Sequence, residues 1–361
     1  MSIKLKFLGA AQNVTGSRHL LEANGTKILV DCGLYQERQF RSRNWEPFTC
    51  PPESLDAVLL THAHLDHCGL LPKLVKEGFK GRIYCTPATS EIVQIILLDS
   101  AHIQEEDAKY KLKRHKREGR KGKYPVEPLY TTADVEACFP QFSTVKYKKT
   151  IEIGAGVEAT FCDAGHVLGS SIIKVKISQD GQERTVIFSG DIGRPDRPIV
   201  QDPSLVEQAD YVLVESTYGD RVHEGPEDTK KLIGEVINST RKAGGNIIVP
   251  SFALERSQEL LYYINELILE KTIEPIQVFL DSHKASKNTM VFKNHRELYD
   301  EEMAEFMKRN KSPFEFSGLK MAGTSEESKA INHIREPIMI IAGSGMCTGG
   351  RIKHHLVNNI T

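Results

Sequence analysis

From residue 57 the chain reads Ala57-Val58-Leu59-Leu60-Thr61-His62-Ala63-His64-Leu65-Asp66-His67-Cys68-Gly69. This stretch constrains the fold more tightly than any other. The apolar and β-branched residues up to Thr61 predict a buried strand. Four donor side chains follow within six positions: His62, His64, Asp66 and His67. Imidazole and carboxylate together suit a divalent transition metal, zinc above all. On a turn leaving a strand, His62 and His64 can face one point while Asp66 and His67 face a second nearby. That arrangement favours two metals in one site. Apolar residues at 70, 71, 74 and 75 then recur at helical spacing, and Pro72 is tolerated in a first turn, so a helix is expected next.

The spacing H-x-H-x-D-H resembles the signature of the metallo-β-lactamase-fold superfamily, where it lies between a strand and a helix and supplies ligands to both metals. Two later stretches each set one donor among small residues on a loop, Asp163-Ala164-Gly165-His166 and Ser189-Gly190-Asp191-Ile192-Gly193. Taken in order, they match the family's third and fourth metal motifs. The resemblance implies that His166 completes one zinc with His62 and His64. It also implies that Asp191 bridges to a second zinc held by Asp66 and His67. Val30-Asp31-Cys32-Gly33 ends a strand in an acid, a pattern that also suits an Asx turn. It matches the family's first motif, which implies that Asp31 orients metal ligands from behind.

At 361 residues the chain exceeds the ~250–300 at which one core usually splits, so two domains are expected, over residues 1–217 and 218–361. Seven Cys without a C-x-x-C pair read as reduced intracellular thiols. The opening Lys4-Leu5-Lys6-Phe7-Leu8 alternates like a strand and not a signal peptide. No apolar run approaches the ~20 residues of a membrane span. A cytoplasmic protein with no membrane partner is expected. The net charge of −1 leaves nucleic-acid binding open, because local distribution decides it.

Residues 3–8, 18–22 and 27–30 predict a β-meander, with Asn24-Gly25 as a hairpin turn. A short strand at 82–85 precedes a long helix starting at Thr86-Pro87. Between 109 and 123 nine Lys or Arg stand against one acid, Glu118. That segment is either a solvated helix end or an arm tracking a phosphate backbone, with Lys113, Arg114, Lys116 and Arg117 as candidates. Tyr110 and Tyr124 are its only aromatics, too few to indicate base stacking. Residues 143–147, 157–162, 172–177 and 184–189 are expected to form a second sheet. Beyond the strand ending at Glu215 the pattern turns α/β. Helices are expected over 230–242, 254–270 and most of 285–308, with strands at 246–249, 276–280 and 337–342, implying a parallel sheet. Helix starts near Ser251 and near Ser344-Gly345 offer hydroxyls and amides suited to RNA phosphates.

This second half resembles the β-CASP insertion of RNA-processing nucleases, in the branch related to the nuclease subunit of cleavage and polyadenylation specificity factor. Glu215 matches its first conserved acid. The expected fold is therefore α/β, a metallo-β-lactamase αββα sandwich with an inserted parallel-sheet domain. Asp281-Ser282-His283 departs from the family's Asp-Ser-Pro. Family members also return to the sandwich and supply two further His, one as general acid near Glu215 and one on the second zinc. The chain given stops at Thr361, so the expectation is an incomplete second zinc site and impaired cleavage. The activity implied is that of a zinc-dependent ribonuclease, endo or 5′–3′ exo, hydrolysing single-stranded RNA through a metal-activated hydroxide. Asp31, Asp66, Asp191 and Glu215 would be its catalytic carboxylates, and a homodimer the expected assembly. Two alternatives stay open. A small-molecule metallohydrolase is disfavoured by the large α/β insertion and the basic segment. A non-catalytic RNA-binding or assembly subunit is disfavoured by the intact donors.

Overall fold

The computed structural model describes residues 3–119, 126–222, 226–309, 312–347 and 349–360. Two compact units emerge, one from Met1–Gly193 with Pro203–Thr217 and one from Arg194–Asp202 with Tyr218–Thr361.

The first unit begins with antiparallel strands β1 (Lys4–Gly9), β2 (Arg18–Ala23) and β3 (Thr26–Val30). Asn24 and Gly25 between the last two both take positive φ, 52° and 83°, as a tight hairpin turn requires. Strands β4 (Ala57–Leu59), β5 (Arg82–Cys85) and β6 (Phe142–Thr144) then add in parallel. Parallel neighbours need crossovers. Helices α1 (Leu65–Cys68) and α2 (Leu71–Lys76) lie between β4 and β5, and α3 (Pro87–Glu118) and α4 (Thr132–Cys138) between β5 and β6. A second sheet runs in the order β11-β10-β9-β8-β7. Its strands are β7 (Thr150–Gly154), β8 (Val157–Asp163), β9 (Ser171–Gln179), β10 (Gln182–Phe188) and β11 (Tyr211–Leu213). The sheets meet through alternating inward residues. Leu21, Ile28, Val30 and Leu59 of the first cluster with Ala159, Phe161, Ile173 and Val175 of the second.

Two expectations need correction. The strand expected at 143–147 in the second sheet is β6, and its Phe142 pairs with Ile83 of β5 in the first. Alternation reveals a strand but not its partner, which the α3–α4 crossover decides here. The second sheet instead starts at β7. Asp66 and His67, expected on a turn, sit on the helical turn α1, whose first residue follows His64.

The second unit alternates helices and strands: α5 (Pro226–Lys242), β12 (Ile247–Pro250), α6 (Arg256–Leu269), β13 (Gln277–Asp281), α7 (His283–Asn294) and α8 (Glu301–Arg309). It continues with β14 (Leu319–Met321), α9 (Ser325–Ile331), β15 (Ile338–Ala342) and α10 (Ile352–Asn359). Its strands pair in parallel in the order β12-β15-β13-β14. The helical run expected over 285–308 is broken at residues 295–300, between α7 and α8. The segment Arg194–Asp202 joins this unit through a buried ion pair, Arg197 to Glu259 at 2.6 Å, and a bridge between Val200 and Tyr299. Among the described residues, no helix is long and apolar enough to cross a membrane.

Candidate metal centre

Three loops of the first unit bring the donors together. His62 and His64 follow β4, Asp66 and His67 ride on α1, His166 lies between β8 and β9, and Asp191 follows β10. Ser171 N donates to the Thr61 carbonyl at 2.8 Å, which ties the His166 loop to the His62 loop. His62 Nε2 lies 3.0 Å from His64 Nδ1, and His166 Nε2 lies 3.2 Å from the same atom. Asp191 Oδ2 approaches His62 Nε2 at 3.6 Å and His166 Nε2 at 3.4 Å. These four residues offer ligand atoms all within 4.8 Å of one another. Nitrogens bound at 2.0–2.1 Å in a tetrahedral site stand ~3.3 Å apart, so the donor set fits a cation of that kind.

The other carboxylate oxygen of Asp191 faces the opposite way. Oδ1 lies 3.1 Å from His67 Nε2, and Asp66 Oδ2 stands 4.0 Å from that same nitrogen. Asp191 therefore sits between two donor groups, a close one of three imidazoles and a looser one of Asp66 and His67.

A buried carboxylate organises this side of the site. Asp31, 1% exposed, accepts hydrogen bonds from Thr61 N at 2.9 Å, from the Thr61 hydroxyl at 3.0 Å and from the Ser17 hydroxyl at 3.1 Å. It also lies 2.7 Å from His67 Nδ1. Backbone bonds lock the same region: Ser17 N donates to the Asp66 carbonyl at 2.8 Å, and Cys32 N to the His67 carbonyl at 2.7 Å. Two glycines permit the close approach. A Cβ on Gly33 would stand 1.6 Å from the Asp66 carbonyl oxygen, and one on Gly193 would stand 1.7 Å from that of Gly165. Neither Ser17 nor Thr61 stands out in the sequence as part of the site; for Thr61 the available signal is a hydroxyl directly before His62, and Ser17 lies 14 residues from the acid it contacts.

Glu215 holds the Asp191 loop. Its Oε1 accepts from Ile192 N at 3.1 Å and its Oε2 from Thr217 N at 3.3 Å, while Glu215 N donates to the Ser189 hydroxyl at 3.1 Å.

Electrostatics follow from burial and neighbours. Burial would lower His67, but the Asp31 and Asp191 carboxylates outweigh it and hold the imidazole well above its usual range. Burial, reinforced by His67, holds His62 well below. Burial alone would raise Asp191, yet His67 and His62 prevail and keep it ionised.

The candidates for RNA contact fall in both units. Lys113, Arg114, Lys116 and Arg117 lie exposed on the last turns of α3 in the first unit, and residues 120–123 of that basic segment fall outside the described residues. In the second unit Ser251 is 6% exposed, and its hydroxyl is engaged by the Phe252 carbonyl and the Ser257 hydroxyl, both at 3.1 Å. Ser344 and Gly345 are half-buried in the turn after β15, with the Ser344 hydroxyl donating to the Gly349 carbonyl at 3.3 Å.

Residues 20–195 match the metallo-beta-lactamase superfamily domain, so the unit carrying this centre is that of a metal-dependent hydrolase. Residues 257–361 match the Beta-Casp domain, and with both matches in place the chain belongs to the β-CASP family of metallo-β-lactamase-fold RNA-processing nucleases. It is 37% identical over 353 residues to Ribonuclease TTHA0252 of Thermus thermophilus, covering 98% of this chain and 75% of that one. It is 30% identical to Transcription termination factor FttA of Methanocaldococcus jannaschii, covering 98% and 53%. It is 28% identical to Cleavage and polyadenylation specificity factor 73 of Drosophila melanogaster, covering 96% and 47%. The chain thus spans three quarters of the first relative and about half of the other two.

Proposed function

We propose that this chain is a zinc-dependent ribonuclease that hydrolyses phosphodiester bonds of single-stranded RNA, with its domain boundary between residues 217 and 218. One observation carries the reading: nitrogens of His62 and His166 converge on one oxygen of Asp191, with His64 in the same cluster, while its other oxygen faces His67. His62, His64, His166 and Asp191 would hold one ion, and Asp66, His67 and Asp191 a second. A set rich in imidazole with carboxylate favours zinc. Such ions supply Lewis acidity, lowering the pKa of water and offsetting charge on phosphoryl oxygens.

The chain's own groups prepare that chemistry. Asp31 accepts the Nδ1 proton of His67 and so frees Nε2 as a ligand. Thr61 and Ser17 hold Asp31 in turn, and Glu215 fixes the peptide beside Asp191. Ser344 and Gly345 would offer polar groups to RNA phosphates. The Ser251 hydroxyl is engaged by the Phe252 carbonyl and the Ser257 hydroxyl, so it would reach a phosphate only by exchanging one of them.

Metal analysis tests the reading together with an RNA cleavage assay. The purified chain should contain zinc and should cleave single-stranded RNA in a chelator-sensitive way. His62→Ala with His64→Ala should remove most of the zinc and the cleavage. Equal zinc in the double variant sinks the assignment.

A further inference from the structure

The first unit also carries a cationic surface that the metal centre does not use. Helix α3 runs for 32 residues. Its first turn is tied to the centre, because the Thr86 and Thr89 hydroxyls donate to the Gly169 carbonyl at 2.6 and 2.8 Å, in the loop that carries His166. The helix is buried at intervals from Ala88 to Ala108, and from Lys109 to Gly119 no residue is buried. Lys109, Lys113, Lys116 and Arg117 share one face by their i, i+4, i+7, i+8 spacing.

Solvated helices commonly offset such cations with acids one turn away. Here Lys109 pairs with Glu106 at 2.8 Å and Arg114 with Glu118 at 3.6 Å. Lys111, Lys113, Lys116 and Arg117 have no ion-pair partner among the described residues. Four like charges are thus held on adjoining turns without a direct ion pair among the described residues, and the acid that Lys113 feels, Glu106, is already paired with Lys109. A polyanion supplies the missing partners, by exchanging its counterions for these side chains.

We propose that the last turns of α3 form a second RNA contact, to the strand's phosphates, and that the helix acts as a spacer setting its distance from the metal centre. The inference rests on RNA being the substrate. The rise from Thr89 to Lys113 is ~36 Å. A stacked strand covers that length in about ten nucleotides at ~3.4 Å each. Contacts to phosphate carry no sequence information, so the site reads length and not sequence.

Fluorescence anisotropy in EDTA, with oligouridylates of roughly six and roughly twenty nucleotides, tests both parts without cleavage. The wild-type chain should favour the longer strand strongly. In a variant combining Lys111→Gln, Lys113→Gln, Lys116→Gln and Arg117→Gln, the longer strand should bind about tenfold or more weakly and the length advantage should shrink. Its salt slope should flatten by ~0.7 for each phosphate the helix no longer neutralises. Inserting about two helical turns of Glu-Ala-Ala-Ala-Lys type after Ala108 adds ~10 Å, and should lengthen the strand needed by about three nucleotides. Thermal unfolding verifies that each variant is folded. An unchanged length advantage and salt slope in the fourfold variant overturn the proposal and leave the cations to solvent or to an acidic protein. Cleavage by the zinc-loaded wild-type chain reports on the ribonuclease reading separately.

Discussion

The Asp31 carboxylate lies 2.7 Å from Nδ1 of His67, while Nε2 of the same ring lies 3.1 Å from Asp191. One face of the imidazole is thereby committed to a buried acceptor and the other is directed into the donor cluster. A ring held this way has one tautomer suited to ligation, and its basicity is raised by the acid behind it.

Asp31→Ala should therefore weaken metal binding by about 10–100-fold. It also strands the Thr61 amide and the Ser17 hydroxyl, a loss of about 1–3 kcal/mol for each buried group left unpaired, while the Thr61 hydroxyl keeps His62 Nδ1 at 3.0 Å. Asp31→Asn keeps an acceptor and should lose less. Chelator-competition titration separates the cases, and an unaltered affinity in Asp31→Ala would remove this residue from the centre.

Glu215 acts on the neighbouring loop. Replacing it with Ala releases the Ile192 and Thr217 amides, which are partly solvated, so the cost should be about 1–2 kcal/mol in denaturant unfolding. Glu215→Gln retains one acceptor and should fall between. Unfolding curves that superimpose for all three proteins would contradict this role.

Glu37 supplies a pH-dependent contribution. Burial would raise its carboxyl, but the Thr15 hydroxyl and amide outweigh it and hold the group at about 2. Its Oε1 accepts from Val14 N at 2.9 Å and Thr15 N at 3.0 Å. A depressed carboxyl stabilises the fold above its unfolded pKa, near 4.3, and the gain disappears as pH falls toward about 2. Wild type should exceed Glu37→Ala in stability at neutral pH, with the gap closing through that acidic window. A gap that is constant from pH 7 to 3 would show that the carboxylate's charge is irrelevant.

The buried pair of Arg197 and Glu259 should show the asymmetry of desolvated charges. Arg197→Ala leaves the buried Glu259 carboxylate with only the exposed Arg256, 2.9 Å from its other oxygen, and should cost up to about 3 kcal/mol. Replacing Arg197 and Glu259 by Met and Leu removes the half-paired carboxylate and should cost less. Equal losses in the single and double variants, measured by chemical denaturation, would refute the account.

The metal loop is the most legible part of the chain because its donors are local. His62, His64, Asp66 and His67 fall so close together that ligand chemistry can be read directly. His166 stands 102 residues from His64, and only the order of motifs suggests that the two meet. Sheet membership is less legible. Residues 142–144 alternate as any strand would, and their place beside β5 depends on where a long crossover returns. The supporting hydroxyls of Ser17 and Thr61 are hidden for a similar reason: a serine or threonine looks the same whether it faces water or a buried carboxylate. The charge run on α3 is plain in the sequence, but that Lys113 and Lys116 make no direct ion pair with a described residue emerges only from the folded helix.

The pinch points at Gly33 and Gly193 bear on how the centre could change over evolutionary time. At each, any side chain collides with the backbone of a neighbouring donor loop, so no single substitution offers a viable intermediate. Loops on either side would have to be exchanged together, as a cassette. Adjacent Ile192, at 36% exposed, faces no such barrier. A library screened for metal retention should leave the two glycines invariant while Ile192 drifts, so the centre would be inherited as a block even as the surface beside it diversifies.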